Sequence, residues 1–277
     1  MAADVVPALN EAIMTSYRSR MNRDARIRRV SKRIKDGTAT LQDGHTYAAA
    51  AGENMSSALR SVLTPENLPD GKLYYNIADR TIKPALRETY NTVNTTAADV
   101  QKIVDRKSKI RMASVKADFP EERIDGLIEK VVENIDDVDG ALKWIGEPIV
   151  NNVESFFDDF VDRNAEVRVR SGMQAKITRT AESNCCPWCA DKEGSWDYGN
   201  EPDDVYARHE YCRCTVTYTA DRKAQNVWSK EQWEPSPEAY DRMRSAAARA
   251  PQPMTQSERA DAIASRRKAI KRAVNGQ

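Results

Sequence analysis

The sequence predicts a mostly helical α+β fold, and three observations carry that prediction. Apolar residues recur at three- and four-residue steps along most of the first 164 positions. Strict alternation of β-branched residues is confined to two short runs, Met173–Ala181 (MQAKITRTA) and Cys214–Thr219 (CTVTYT). All five cysteines lie between or at the edge of those runs. The expected organisation is a helical region over 1–164, a small Cys/His-rich α+β module with a β-hairpin over 165–234, and a basic, partly helical or flexible tail over 235–277.

Composition narrows the class before any motif is considered. Hydrophobic residues make up 40% and charged residues 31%, which suits a helical protein with much exposed surface. The 43 basic and 42 acidic side chains leave a formal net charge of +1, so no global field argues for nucleic acid or membrane. No run approaches the roughly 18 apolar residues a membrane helix needs. The N-terminal MAADVVPALNEAIMTSYRSR lacks the basic and apolar regions of a secretory signal. A reducing cytosol is therefore the expected site of synthesis, where clustered cysteines read as metal ligands or redox groups rather than disulfides.

The helices follow in order. Residues 1–36 read as one helix closed by Gly37, with a strongly basic segment, RSRMNRDARIRRVSKRIK, from Arg18 to Lys35. That segment is either a phosphate- or acid-binding surface or simply a solvated face. DGTATLQDG (36–44) reads as a connection, and helix resumes at His45, a lone histidine among alanines that suits packing or capping. TPENLPDG (64–71) is turn chemistry. Tyr74, Ile77, Ile82, Leu86 and Tyr90 share one helical face, on which Pro84 predicts a kink or a new start. Pro120 with Glu121 and Glu122 marks another helix start. Ile124, Leu127, Ile128, Val131, Val132 and Ile135 form its apolar stripe. DDVDG (136–140) reads as an acidic turn without the ligand spacing of a calcium loop. A last long helix, interrupted near Pro148, presents Phe156, Phe157, Phe160 and Val161 to the core and stops at Gly172.

The chemistry concentrates in Asn184–Tyr218. Cys186 and Cys189 form a C-x-x-C, and His209, Cys212 and Cys214 an H-x-x-C-x-C. One knuckle supplies two thiolates and a second segment completes a tetrahedral site. Cys212 and Cys214, two apart on a strand, would face the same way. Five candidates compete for four places, with Cys185 a weaker sixth. A site filled by protein ligands leaves no open position, which favours structural zinc over a catalytic ion, in a module too poor in apolar residues to build its own core. A metal-free cluster of reduced cysteines, a redox dithiol, a catalytic metal and a Cys–His nucleophile pair are the competing readings. The redox reading suffers because ADKEGSWDYGNEPDD after the C-x-x-C reads as loop, not helix. No Gly-rich phosphate loop, GxSxG or HExxH is present.

CCPWC, GSWDY and DVYARHEYCRCTVTY together resemble the C-terminal module of phage minor head proteins of the Mu F-type head morphogenesis group. DGTATLQDGHTYAAAAGENMSSAL, LPDGKLYYNIADRTIKPALRETY and QNVWSKEQW extend the resemblance over roughly residues 8–235. The resemblance implies a non-enzymatic, low-copy virion component associated with the portal and the head, acting in head assembly and in some members in DNA packaging or delivery. Its Cys/His motif maps onto Cys186, Cys189, His209, Cys212 and Cys214. The expected partners are portal or major capsid proteins and packaged DNA, with no membrane. The alternatives are a zinc-containing nucleic-acid-binding protein and a zinc or thiol enzyme.

Overall fold

The computed structural model describes residues 4–133, 138–182 and 185–222. Its first correction to the sequence reading comes at Asp24. The expected single N-terminal helix is two, α1 (Val6–Arg23) and α2 (Ala25–Lys35). Asp24 is extended (φ −68°, ψ 121°), and its carboxylate accepts the Arg26 backbone N–H at 2.8 Å, so a helix cap sits inside what read as a charge run. Arg28 then donates to the Asn22 and Arg23 carbonyls at the end of α1. Much of the basic face of α2 is neutralised within the chain: Arg26 bridges Asp24 and Glu53, Lys32 pairs with Asp36, and Arg33 with Asp43. Gly37, at φ 67°, closes α2 as expected.

α3 (Leu41–Val62) starts four residues before His45, because the Asp43 carboxylate reaches back to the Thr40 N–H at 2.7 Å. Its alanines and Met55, Ala58 and Leu59 are buried, which makes it the central helix of the bundle. Two 3-10 turns, Pro65–Asn67 and Pro69–Gly71, lead into α4 (Tyr75–Lys107). α4 runs unbroken through Pro84. Proline removes the N–H that would bond the Arg80 carbonyl four residues back. Asn10 of α1 replaces it, donating from Nδ2 to that carbonyl at 3.0 Å.

After α4 the chain turns at 108–109 and has no regular secondary structure up to Pro120. Val115 exchanges both backbone hydrogen bonds with the Asn164 side-chain amide (2.9 and 2.8 Å), so one amide group does the work of a strand partner. α5 (Glu121–Val132) buries Ile124, Leu127, Ile128 and Val131 on α4. Residues 136 and 137 of the expected acidic turn lie outside the described residues, and 138–140 open α6 (Val138–Trp144). α7 (Glu147–Arg170) carries Pro148 in its first turn, where a missing N–H costs nothing, and buries Phe156, Phe157, Phe160 and Val161.

Gly172, at φ 83°, turns α7 into β1 (Met173–Thr180). A four-residue helix, α8 (Pro187–Ala190), and β2 (Gly194–Asp197) follow, and β3 (Thr215–Arg222) closes an antiparallel sheet of order β2-β1-β3. β2 corrects the reading of GSWD as loop: it pairs with Lys176–Arg179 of β1. The registers Ala175↔Ala220, Ile177↔Tyr218 and Arg179↔Val216 line up one buried face, and β1 and β3 both pack on α7. The fold is thus mostly α with a small sheet, as the sequence predicts.

Residues 1–223 form one compact unit, and the expected boundary at 164/165 falls inside α7, which serves helices on one side and sheet on the other. The expected tail 235–277, and Trp228 and Trp233 just before it, lie outside the described residues. No described helix is long and apolar enough to cross a membrane.

α3 and α7 approach closely because α3 carries Gly52 at their crossing. A Cβ there would stand 3.0 Å from the Val150 Cα and 3.1 Å from its carbonyl oxygen, atoms of backbone that cannot rotate away. Gly52→Leu should therefore force the two helices apart and cost about 1–3 kcal/mol, read as a lowered Tm.

Candidate metal centre

Three local structures deliver the ligands. Cys186 is the extended N-cap of α8, Pro187 fixes the first helical position, and one turn later Cys189 points inward, 1% exposed. On the other side, Tyr211 adopts φ 61°, a left-handed conformation that costs a tyrosine energy. That turn lets the Cys212 N–H bond the His209 carbonyl at 3.1 Å and brings both residues to the same side. Cys212 and Cys214 lie just ahead of β3 rather than on it, and each is 1% exposed.

All five residues predicted as ligands converge. The His209 Nε2 lies 2.9 Å from Cys189 Sγ and 3.2 Å from Cys186 Sγ. Its Nδ1 sits 2.6 Å from the Glu210 carbonyl oxygen, which can only accept. That contact assigns the proton to Nδ1 and leaves the Nε2 lone pair facing the sulfurs, the orientation a metal-binding histidine needs. Cys189 Sγ is 3.7 Å from Cys212 Sγ, close to the spacing of two thiolates on one tetrahedral ion. The donor atoms fall into two groups, Cys186–Cys189–His209 and Cys189–Cys212–Cys214, each with its atoms within 4.8 Å of one another. Cys185, half-buried, packs at the edge of the cluster.

The electrostatics suit a cation bound by thiolates. Burial pushes the Cys189 thiol well up, and hydrogen bonding with Cys214 and Cys212 pushes the same way, so without an ion this sulfur keeps its proton. A divalent metal displaces such protons and supplies the missing positive charge. Arg179, 1% exposed on β1, is placed to balance the thiolates that result. It donates from Nη1 to the Val205 and Ala207 carbonyls, and its Nη2 lies 4.0 Å from Cys189 Sγ and 3.8 Å from Cys212 Sγ. A guanidinium buried among carbonyls alone would carry a desolvation penalty of several kcal/mol, which adjacent thiolates offset. Trp188 screens the site, edge-on to His209 with ring centroids 5.3 Å apart and with Lys192 Nζ 4.6 Å above its face. The residues present therefore fit a soft or borderline metal ion.

A second feature of the site was not read from the sequence. Arg208, one residue before His209, is buried against α7. Its Nε and Nη2 grip Asp158 at 2.7 and 2.9 Å, and its Nη1 donates to Glu154 at 3.1 Å and to the Cys214 carbonyl at 3.0 Å. Nη2 also lies 3.2 Å from His45 Nε2. Burial, and then the charge of Arg208, holds His45 well below its usual pKa, so a neutral ring accepts that bond. His45 also stands edge-on to Phe157, the packing role expected for it. Burial pushes Glu154 up to about 7 and raises Asp158, while Arg208 pulls both back down. Arg213, between Cys212 and Cys214, pairs with Glu147. The available signal was Glu154 and Asp158, carboxylates four apart among the apolar residues of α7; a solvent-facing pair would sit on the opposite stripe.

Arg208→Ala leaves Asp158 buried without its counter-charge and Glu154 with only the more distant Arg213, and should cost about 3–5 kcal/mol. Arg213→Ala, whose partner side is more exposed, should lower Tm far less in the same melting experiment. Compared with family models, curated proteins and solved structures, the chain matches none, so the reading of this centre rests on its own residues.

Proposed function

We propose that the chain is a structural, non-enzymatic minor head protein of a tailed phage or prophage, acting in head assembly beside the portal. Its Cys/His cluster is a structural zinc knob keyed to a helical body. The observation that carries the structural reading is the convergence of Cys186, Cys189, His209, Cys212 and Cys214 around a buried arginine. Protein ligands crowd the site, and the loop that bears three of them is tied to α7 through Arg208. Zinc suits this donor set of thiolates and imidazole, with the metal contributing folding free energy to a sheet of few apolar residues.

The head assignment rests on the resemblance of CCPWC, GSWDY and DVYARHEYCRCTVTY to the Mu F-type group. It places the chain in the virion, made in the bacterial cytoplasm, with portal or major capsid proteins as partners. Contact with packaged DNA is the second reading. It is favoured by Arg29 and Lys35, exposed on α2 and without a carboxylate partner among the described residues.

Three experiments test these statements. In particles purified after prophage induction, the chain should co-sediment with heads at low copy number; particles that contain the portal but not this chain would contradict the assignment. With the purified protein, a strong chelator should remove zinc and lower Tm by roughly 10 °C, the shift expected for losing several kcal/mol in a domain of this size. Retention on duplex DNA that falls steeply with salt would support the DNA contact, and no retention at low salt would remove it.

A further inference from the structure

We infer that the cluster is built for two metal ions bridged by the Cys189 thiolate rather than for one. This rests on the metal-binding reading above and adds the number of ions and the role of each ligand. The geometric argument is short. Two ligands of one ion cannot stand further apart than twice the bond length, and for a metal–sulfur bond of about 2.3 Å that limit is about 4.6 Å. Among the described residues the donor atoms come within 4.8 Å of one another, close to that limit, only as two separate groups, Cys186–Cys189–His209 and Cys189–Cys212–Cys214. Cys189 is the only member common to both, and the groups do not merge into one set of four. An ion in the first group is therefore out of bonding reach of the second as a whole, and the reverse also holds.

Cys189 has the properties of a bridging ligand. It is the most deeply placed residue of the C-x-x-C, 1% exposed, with His209 Nε2 at 2.9 Å on one side and Cys212 Sγ at 3.7 Å on the other. Cys185 packs against the Cys189–Cys212–Cys214 group but lies outside both ligand groups. The charges close: the four ligand thiols release four protons and two divalent ions contribute four positive charges, with the Arg179 guanidinium beside Cys189 and Cys212. The ions that suit such a site are zinc or another thiophilic ion of similar size.

The test is metal stoichiometry by native mass spectrometry, with elemental analysis, on the full tag-free chain loaded with zinc under reducing conditions. The expected result is two ions in the wild type, one in Cys214→Ser, and none or a weakly held one in Cys189→Ser. X-ray absorption on the wild type should add a metal–metal distance of roughly 3.5–4 Å, which needs no variant to fold. One tightly held ion in the wild type would overturn the bridged pair and leave the structural-metal reading standing. Two ions that both survive Cys214→Ser, or that lack the metal–metal distance, would also overturn it. No metal at all would remove both readings together.

Discussion

A buried guanidinium ties this fold together. Arg208 leaves the loop that carries His209, Cys212 and Cys214 and inserts between Asp158 and Glu154 of α7, with His45 of α3 accepting a further bond. The sheet offers a narrow apolar face, chiefly Ala175, Ile177, Val216, Tyr218 and Ala220, too little to hold a long loop by burial alone. Charge supplies what apolar area does not. Because one end of Arg208 also grips the Cys214 carbonyl, the position of the metal loop and the packing of α7 are set by the same side chain.

Arg179 plays the matching role inside the cluster. It tethers the loop through the Val205 and Ala207 carbonyls and faces two sulfurs with its remaining nitrogen. The two arginines thus have different duties: Arg208 answers the carboxylates of the bundle, and Arg179 faces the cysteine sulfurs. Arg213 adds a third contact, to Glu147 at the start of α7. Glu147, Glu154 and Asp158 of α7 all meet the loop and make that helix the platform on which it is held.

The parts legible in the sequence are those set by periodicity and by ligand spacing. The helical stripes of α4, α5 and α7, the strand runs at 173–180 and 215–222, and the clustering of Cys186, Cys189, His209, Cys212 and Cys214 all follow from residue spacing. What escaped reading depended on single side chains acting at a distance. Asp24 splits the first helix because its carboxylate caps α2, but in sequence it is one acid among many charges. Pro84 leaves α4 intact because Asn10, seventy-odd positions away, takes the orphaned carbonyl. β2 is four residues long, too short for alternation to register, and exists because β1 offers it an edge. Arg208 and Arg213 carry no local signal, because their acidic partners Asp158 and Glu147 lie 50 and 66 residues upstream.

The central claim is that metal at the Cys/His cluster holds the loop that Arg208 keys into α7. Amide hydrogen exchange of the full chain, with and without a strong chelator, addresses it directly. The account predicts that chelation strips protection from 185–214 and the start of β3 first, while the α3–α7 core stays protected until global unfolding. Unchanged exchange across 185–222, with the metal demonstrably removed, would contradict it.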